Sequence, residues 1–140
     1  MLMRFSNPRT PTLIAKPMNS TRLLVIIEAA AFFSAALAHF GILINGYQHL
    51  LAARAEGVIG LVLFVGWILI LARPSWTRRT GLTVQGFALL GTLVGIYTIA
   101  VGIGPRTVPD LIYHACMVVL LIFGLTIAIR ARQRQDLLET

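Results

Sequence analysis

The sequence predicts an all-α integral membrane protein, a bundle of four transmembrane helices. Hydrophobic residues make up 57% of the 140 residues and charged residues only 12%, whereas soluble domains carry about 25% charged residues. Four segments are each apolar over roughly 20 residues, the length that crosses a bilayer. Little chain remains outside these segments, so the lipid bilayer is the first expected partner.

The predicted spans are residues 23–44, 51–71, 81–103 and 109–129. Residues 1–20 contain three prolines and no sustained periodicity, which predicts a flexible cytoplasmic tail before a four-helix domain at residues 21–130. Pro74 and Gly81 mark the boundary between the second and third spans. Pro109 and Asp110 suit the start of the fourth, where a carboxylate favours the positive end of the helix dipole. Residues 131–140 form a second predicted cytoplasmic tail.

The basic residues orient the chain. Ten of the twelve fall in or next to the termini and the second loop, while only Arg54, near the outer end of the second span, and Arg106, in the third loop, fall on the other side. This asymmetry predicts that both termini are cytoplasmic, and it accounts for the net charge of +7 without a nucleic-acid partner. A composition rich in Arg and Ala favours a bacterial inner-membrane protein. The alternative is a signal peptide cleaved after Ala38, but Glu28 interrupts the apolar run, which favours a retained span.

The two in-out-in hairpins resemble each other in the placement of their polar residues. Glu28 precedes Glu56 by 28 positions, and Gln85 precedes His114 by 29. This spacing suggests an internal duplication whose symmetry axis lies along the membrane normal. Glu28 and Gln85 both lie a turn or so inside the cytoplasmic face, so we expect either a hydrogen bond between them or a proton-path role for Glu28.

A second group of polar residues lies in the outer half of the bundle. At a rise of 1.5 Å per residue, His39, Glu56 and His114 each fall about 7–9 Å outward of the midpoints of their spans. Ionisable residues in spans usually face the bundle interior and mark functional sites. Asp110 stands four residues before His114, so we expect their side chains to pair. The predicted ligand-binding cluster is His39, Glu56, His114, Asp110, Tyr113 and Tyr97.

Small residues predict where the helices pack. Gly91 and Gly95 form a GxxxG pair, a pattern that lets helix backbones approach closely. We therefore expect the first and third spans to form the centre of the bundle, or one of their faces to form an oligomer contact. Cys116 is the only cysteine, which excludes an intrachain disulfide, and we expect it to be a buried apolar residue.

Three hypotheses for the function remain open. His39, Glu56 and His114 are candidate ligands of a divalent transition metal, and the two histidines are candidate axial ligands of haem b, which would make the chain an accessory or ligand-binding subunit. Alternatively, Glu28 and Glu56 serve a small proton-coupled transporter or permease. The third hypothesis is a structural or regulatory partner in a homo-oligomer or a larger membrane complex. The chain contains no P-loop, dinucleotide fingerprint or nucleophile elbow, so nothing indicates a conventional enzyme.

Overall fold

The computed structural model describes residues 20–136, with side-chain surroundings to residue 130. The helices are α1 (Ser20–His39), α2 (Leu50–Ala72), α3 (Thr77–Ala100) and α4 (Val108–Asp136), and a short 3₁₀ turn at Pro74–Trp76 precedes α3. The predicted all-α membrane bundle is confirmed, because each of the four helices is long and apolar enough to cross a membrane. The predicted amino-terminal tail lies almost wholly outside the described residues. α4 continues six residues into the segment predicted as the second tail.

The bundle places polar residues inside and apolar residues outside. Large hydrophobic side chains such as Val58, Leu90 and Val119 are more than half exposed. The buried polar and charged side chains are Thr21, Glu28, His39, Glu56, Thr77, Gln85, Thr92, Asp110 and His114. This arrangement suits a lipid surround, where apolar surface costs nothing and ionisable groups need partners within the protein.

The helices pack in chain order around the bundle. α1 lies most extensively against α2, α3 lies against both α2 and α4, and α1 touches α4 and α3 only lightly. Of the two diagonal pairs, α1 and α3 are the one in contact, which agrees with the expectation that the first and third spans lie at the centre. Within the described chain, α2 and α4 are the helix pair whose backbones do not meet, so the space between them is filled by side chains or left open.

A glycine with a positive φ follows the outer end of α1, and another follows the outer end of α3. α1 stops at His39 because Gly41 adopts a φ of 76°, a left-handed conformation that glycine tolerates best. α3 stops before Gly102, with a φ of 86°, and Arg106 donates hydrogen bonds to the carbonyl oxygens of Ile99 and Ala100 at 2.9 Å. The first span is thus shorter than predicted, since the apolar residues 40–44 belong to the loop.

The packing shows what surrounds Gly91 and Gly95, and it corrects the prediction for Cys116. A Cβ on Gly91 would lie 2.6 Å from Ile59 Cδ1, and one on Gly95 would lie 2.8 Å from His114 Nε2. At these two glycines α3 therefore lies close to side chains of α2 and α4. Cys116 is exposed on α4 rather than buried, because its position turns towards the apolar outer surface.

Candidate functional site

One histidine joins three helices near the outer end of the bundle. His39, the last residue of α1, places Nδ1 2.7 Å from Glu56 Oε2 on α2 and Nε2 3.1 Å from Asp110 Oδ1 on α4. All three side chains are buried. We call His39, Glu56 and Asp110 the outer triad. The contact between His39 and Glu56 agrees with the sequence analysis, in which the rise per residue places both at the same depth in the membrane.

The structure gives Asp110 a different partner from the one that the spacing suggests. Its carboxylate contacts His39, and the expected pairing with the His114 side chain is absent in the described structure. His114 Nδ1 instead lies 2.8 Å from the backbone carbonyl oxygen of Asp110, one turn earlier in the same helix. The expected pair is wrong because the start of α4 turns the Asp110 carboxylate across the bundle towards α1.

A capping box at the start of α4 fixes the orientation of Asp110. The hydroxyl of Thr107 donates to Asp110 Oδ2 at 2.6 Å, the Thr107 N–H donates to the same oxygen at 3.2 Å, and the Asp110 N–H donates to Thr107 Oγ1 at 3.4 Å. This reciprocal arrangement satisfies N–H groups that a helix start leaves free. The motif "TVPD" carries the pattern in the sequence, and it adds Thr107 to the site.

Tyr47, in the loop after α1, covers the outer triad. Its ring stacks on the His39 ring at a centroid distance of 5.3 Å, and its hydroxyl is hydrogen-bonded to Thr107 Oγ1. The His49 N–H donates to the His39 carbonyl oxygen at 2.8 Å and so closes this loop over the site. Burial raises the pKa of Tyr47 above its ordinary value, and the nearby Asp110 carboxylate raises it further.

Hydrogen-bond chemistry limits how the shared hydrogens of the outer triad are arranged. Each of its two contacts needs one hydrogen between a ring nitrogen and a carboxylate oxygen. The hydrogens can make an imidazolium ion between two carboxylates, or a neutral imidazole between a carboxylate and a carboxylic acid. In either form the three side chains carry a net charge of −1 with both contacts made. Two hydrogens can therefore shift along the triad without changing its charge.

The second carboxylate oxygen of Glu56 has no such partner. Oε1 is buried and makes no hydrogen bond with any described residue. Glu56 also lines a cavity of about 180 Å³ between α2 and α3, with His114 of α4 on its wall. Exposed residues of both helices, including Ala55 and Val94, border this cavity, so it reaches the outer surface of the bundle between α2 and α3.

The walls of the cavity are mainly apolar, with a few polar groups. Thr92 and Thr98 line it, but their hydroxyls donate to the carbonyl oxygens of Ala88 and Gly95 at 2.8 and 2.7 Å. His49 also lines it, and its Nδ1 accepts from the Ala52 N–H at 3.3 Å. A concave, mostly apolar site with a few placed polar groups is the usual form of a small-molecule site.

The two tyrosines of the predicted cluster lie in different surroundings. Tyr97 is 65% exposed on α3, so its side chain faces away from the outer triad. Tyr113 packs edge-on against Phe32 and His114, with centroid distances of 6.2 and 5.3 Å. Its hydroxyl is buried and has no hydrogen-bond partner in the described part of the chain.

The inner half of the bundle contains a separate polar contact. Gln85 Nε2 donates to both carboxylate oxygens of Glu28, at 2.9 and 3.0 Å, and both side chains are fully buried. The predicted hydrogen bond between these residues is present and joins α1 to α3 across the centre of the bundle. Glu28 does not line the cavity that contains Glu56.

The outer triad does not fit a metal ion or a haem. A metal or haem iron needs a free lone pair on the imidazole, and both ring nitrogens of His39 are engaged by carboxylates. Among residues 20–130, no group of three or more His, Cys, Asp or Glu side chains is placed to hold a metal ion. His39, Glu56 and His114 thus share a region of the bundle without forming a ligand set.

Comparison of the chain with protein-family models, with curated proteins and with solved structures finds no significant match.

Proposed function

We propose that this multi-pass membrane protein binds a small, mostly apolar molecule in the cavity between α2 and α3, as an accessory or ligand-binding subunit. The observation that carries the proposal is Glu56, which lines a mostly apolar cavity and has one buried carboxylate oxygen, Oε1, without a partner among the described residues. An unsatisfied buried polar group costs about 1–3 kcal/mol, and a charged one costs more. A ligand that donates a hydrogen bond to this oxygen removes that cost.

Filling the cavity from its edge tests the proposal without disturbing the core. Ala55 lines the cavity and is exposed on α2, whereas Ala115 is exposed on α4, outside this cavity. We expect ligand-observed NMR to detect benzyl alcohol binding to the wild-type protein in maltoside micelles and to Ala115→Phe, but not to Ala55→Phe. Equal binding to all three proteins, or no binding to the wild type, would contradict the proposal.

A proton-coupled permease is the second candidate, and one observation favours it. A continuous series of hydrogen bonds runs from Glu56, which lines the cavity, through His39 and Asp110 to Thr107, an exposed residue just before α4. Glu28, the other carrier that the sequence suggests, is held by Gln85 outside this series. In proteoliposomes we expect Glu56→Gln to lower proton flux and Glu28→Gln to leave it unchanged. Equal flux in the two variants would exclude this candidate.

We further propose that the protein lies in a bacterial inner membrane with both termini in the cytoplasm, so that the cavity faces the outer leaflet. The distribution of basic residues supports this orientation. Cysteines placed at Asn45 and Ser75, in a Cys116→Ser background, report on the two sides. A membrane-impermeant maleimide should label Asn45→Cys in spheroplasts and Ser75→Cys only after the membrane is opened. The reverse labelling pattern would invert the proposed topology.

A further inference from the structure

Most of the polar side chains that line the cavity offer hydrogen-bond acceptors to a ligand. His114 Nδ1 lies 2.8 Å from a backbone carbonyl oxygen, which only accepts, so Nδ1 carries the hydrogen. In the neutral imidazole, Nε2 is then a bare acceptor. This nitrogen lies at the cavity wall, because a Cβ added to Gly95 would meet it at 2.8 Å.

Glu56, Thr92 and Thr98, which also line the cavity, offer acceptors as well. Glu56 Oε1 is a free acceptor while the outer triad holds its two shared hydrogens. The hydroxyl hydrogens of Thr92 and Thr98 are used on carbonyl oxygens, so only their lone pairs remain. His49 differs, since its Nδ1 accepts from Ala52 and its Nε2 therefore carries a hydrogen. His49 precedes α2 and stands about 10 Å outward of Glu56 along the helix axis.

The charge of the site favours the same kind of ligand. With one shared hydrogen in each of its two contacts and no other, the outer triad carries a net charge of −1. None of the residues that line the cavity is Lys or Arg. A negative charge in a poorly solvated site is costly unless a cation or several hydrogen-bond donors compensate it.

From these acceptors and this charge, we propose that the ligand of the cavity is a small organic ammonium ion. This proposal rests on the proposed ligand-binding function and specifies its ligand class. The ammonium group offers three N–H donors, which Glu56 Oε1 and His114 Nε2 accept, while the organic group lies against the apolar wall. Cavities of about 150 Å³ hold one aromatic ring, so about 180 Å³ accommodates a ring with a short ammonium-bearing arm.

A series of ligands of nearly equal shape tests the proposal on the wild-type protein. Benzylammonium, benzyl alcohol, toluene and benzoate differ in charge and in donors while keeping the ring. We expect calorimetric titration at neutral pH in maltoside micelles, corrected with protein-free micelles, to rank them in that order. Hydrogen bonds to charged groups contribute about 1.5–3 kcal/mol, so benzylammonium should bind at least about tenfold more tightly than benzyl alcohol.

Variants assign the preference to the proposed groups. Glu56→Gln should weaken benzylammonium binding at least about tenfold and change benzyl alcohol binding much less, because it removes the carboxyl group and keeps the shape of the side chain. Glu28→Gln is the matched control, since Glu28 is a buried carboxylate outside the cavity, and it should leave both affinities unchanged.

The outcomes separate the two proposals. If benzyl alcohol and toluene bind as tightly as benzylammonium, the ammonium proposal is overturned and the ligand-binding function stands. If no member of the series binds the wild-type protein, both proposals are overturned. If Glu56→Gln does not fold, the ranking measured on the wild-type protein still decides the ligand class.

Discussion

Gly124→Ala tests whether the contact between Glu28 and Gln85 fixes the inner half of the bundle. Gly124 of α4 lies directly against this pair. A Cβ at this position would lie 2.7 Å from Glu28 Oε1 and closer still to the Gln85 amide nitrogen. Both side chains are fully buried. The methyl group therefore fits only if the amide moves away from the carboxylate it binds.

Three terms determine the size of the effect. Overpacking a filled interior costs about 1–3 kcal/mol. Losing an interhelical hydrogen bond in a membrane bundle costs about 0.6–2 kcal/mol. Alanine regains about 1 kcal/mol of helix propensity over glycine. The free energy of unfolding should therefore fall by about 0.5–4 kcal/mol, with the steric cost setting most of the size.

Gly86→Ala in α3 is the matched control. A Cβ there meets no atom within 4 Å. This variant should therefore gain the helix propensity of alanine over glycine without a steric clash. Reversible unfolding in mixed detergent micelles should separate the two variants by at least about 1.5 kcal/mol. Adding Gln85→Ala removes the obstructing amide, so the cost of Gly124→Ala should shrink in that background. A difference of under about 0.5 kcal/mol between Gly124→Ala and Gly86→Ala would refute the reasoning.

Two further predictions concern the outer half of the bundle. His39→Ala leaves the carboxyl groups of Glu56 and Asp110 without their shared partner. We expect it to lower the free energy of unfolding by about 3–5 kcal/mol in the same assay. A loss below about 1 kcal/mol would mean that the outer triad contributes little to stability. Tyr47 should ionise above its ordinary pKa of about 10 when the absorbance of its phenolate is followed with the other two tyrosines replaced by Phe. Folding raises the pKa of Tyr47. The stability that the un-ionised hydroxyl contributes is therefore fully present below the pKa of Tyr47 in the unfolded chain, and it is lost as the pH rises through the pKa in the folded chain. Asp110→Asn should lower the Tyr47 midpoint, and an unchanged midpoint would contradict the role of the carboxylate.

Depth along the membrane normal could be predicted from the sequence, because helix rise converts residue number into distance. This is why His39 and Glu56 were expected at one level and are found in contact. The same counting placed Glu28 level with Gln85, and those side chains also meet. The predicted ends of the first span were less accurate, since hydropathy does not distinguish an apolar loop from an apolar helix.

Rotation about each helix axis could not be predicted in the same way. In a soluble bundle the apolar stripe identifies the inner face, but helices surrounded by lipid are apolar on every side. The sequence therefore assigns Tyr97 to the cluster, although its side chain faces outward. The partner of Asp110 was missed for a local reason, because the capping box with Thr107 sets the direction of its carboxylate.

The outer triad also implies an order of events during synthesis of the chain. His39 precedes Glu56 by 17 residues and Asp110 by 71, so one of its two contacts lies within the first helical hairpin. Glu56 thus enters the bilayer with a partner already present in the adjacent helix, which lowers the cost of inserting a carboxyl group into hydrocarbon. The second contact forms only when the last helix arrives. Closure of the triad therefore coincides with completion of the bundle, and a chain truncated before α4 would expose a histidine with one of its ring nitrogens unpaired.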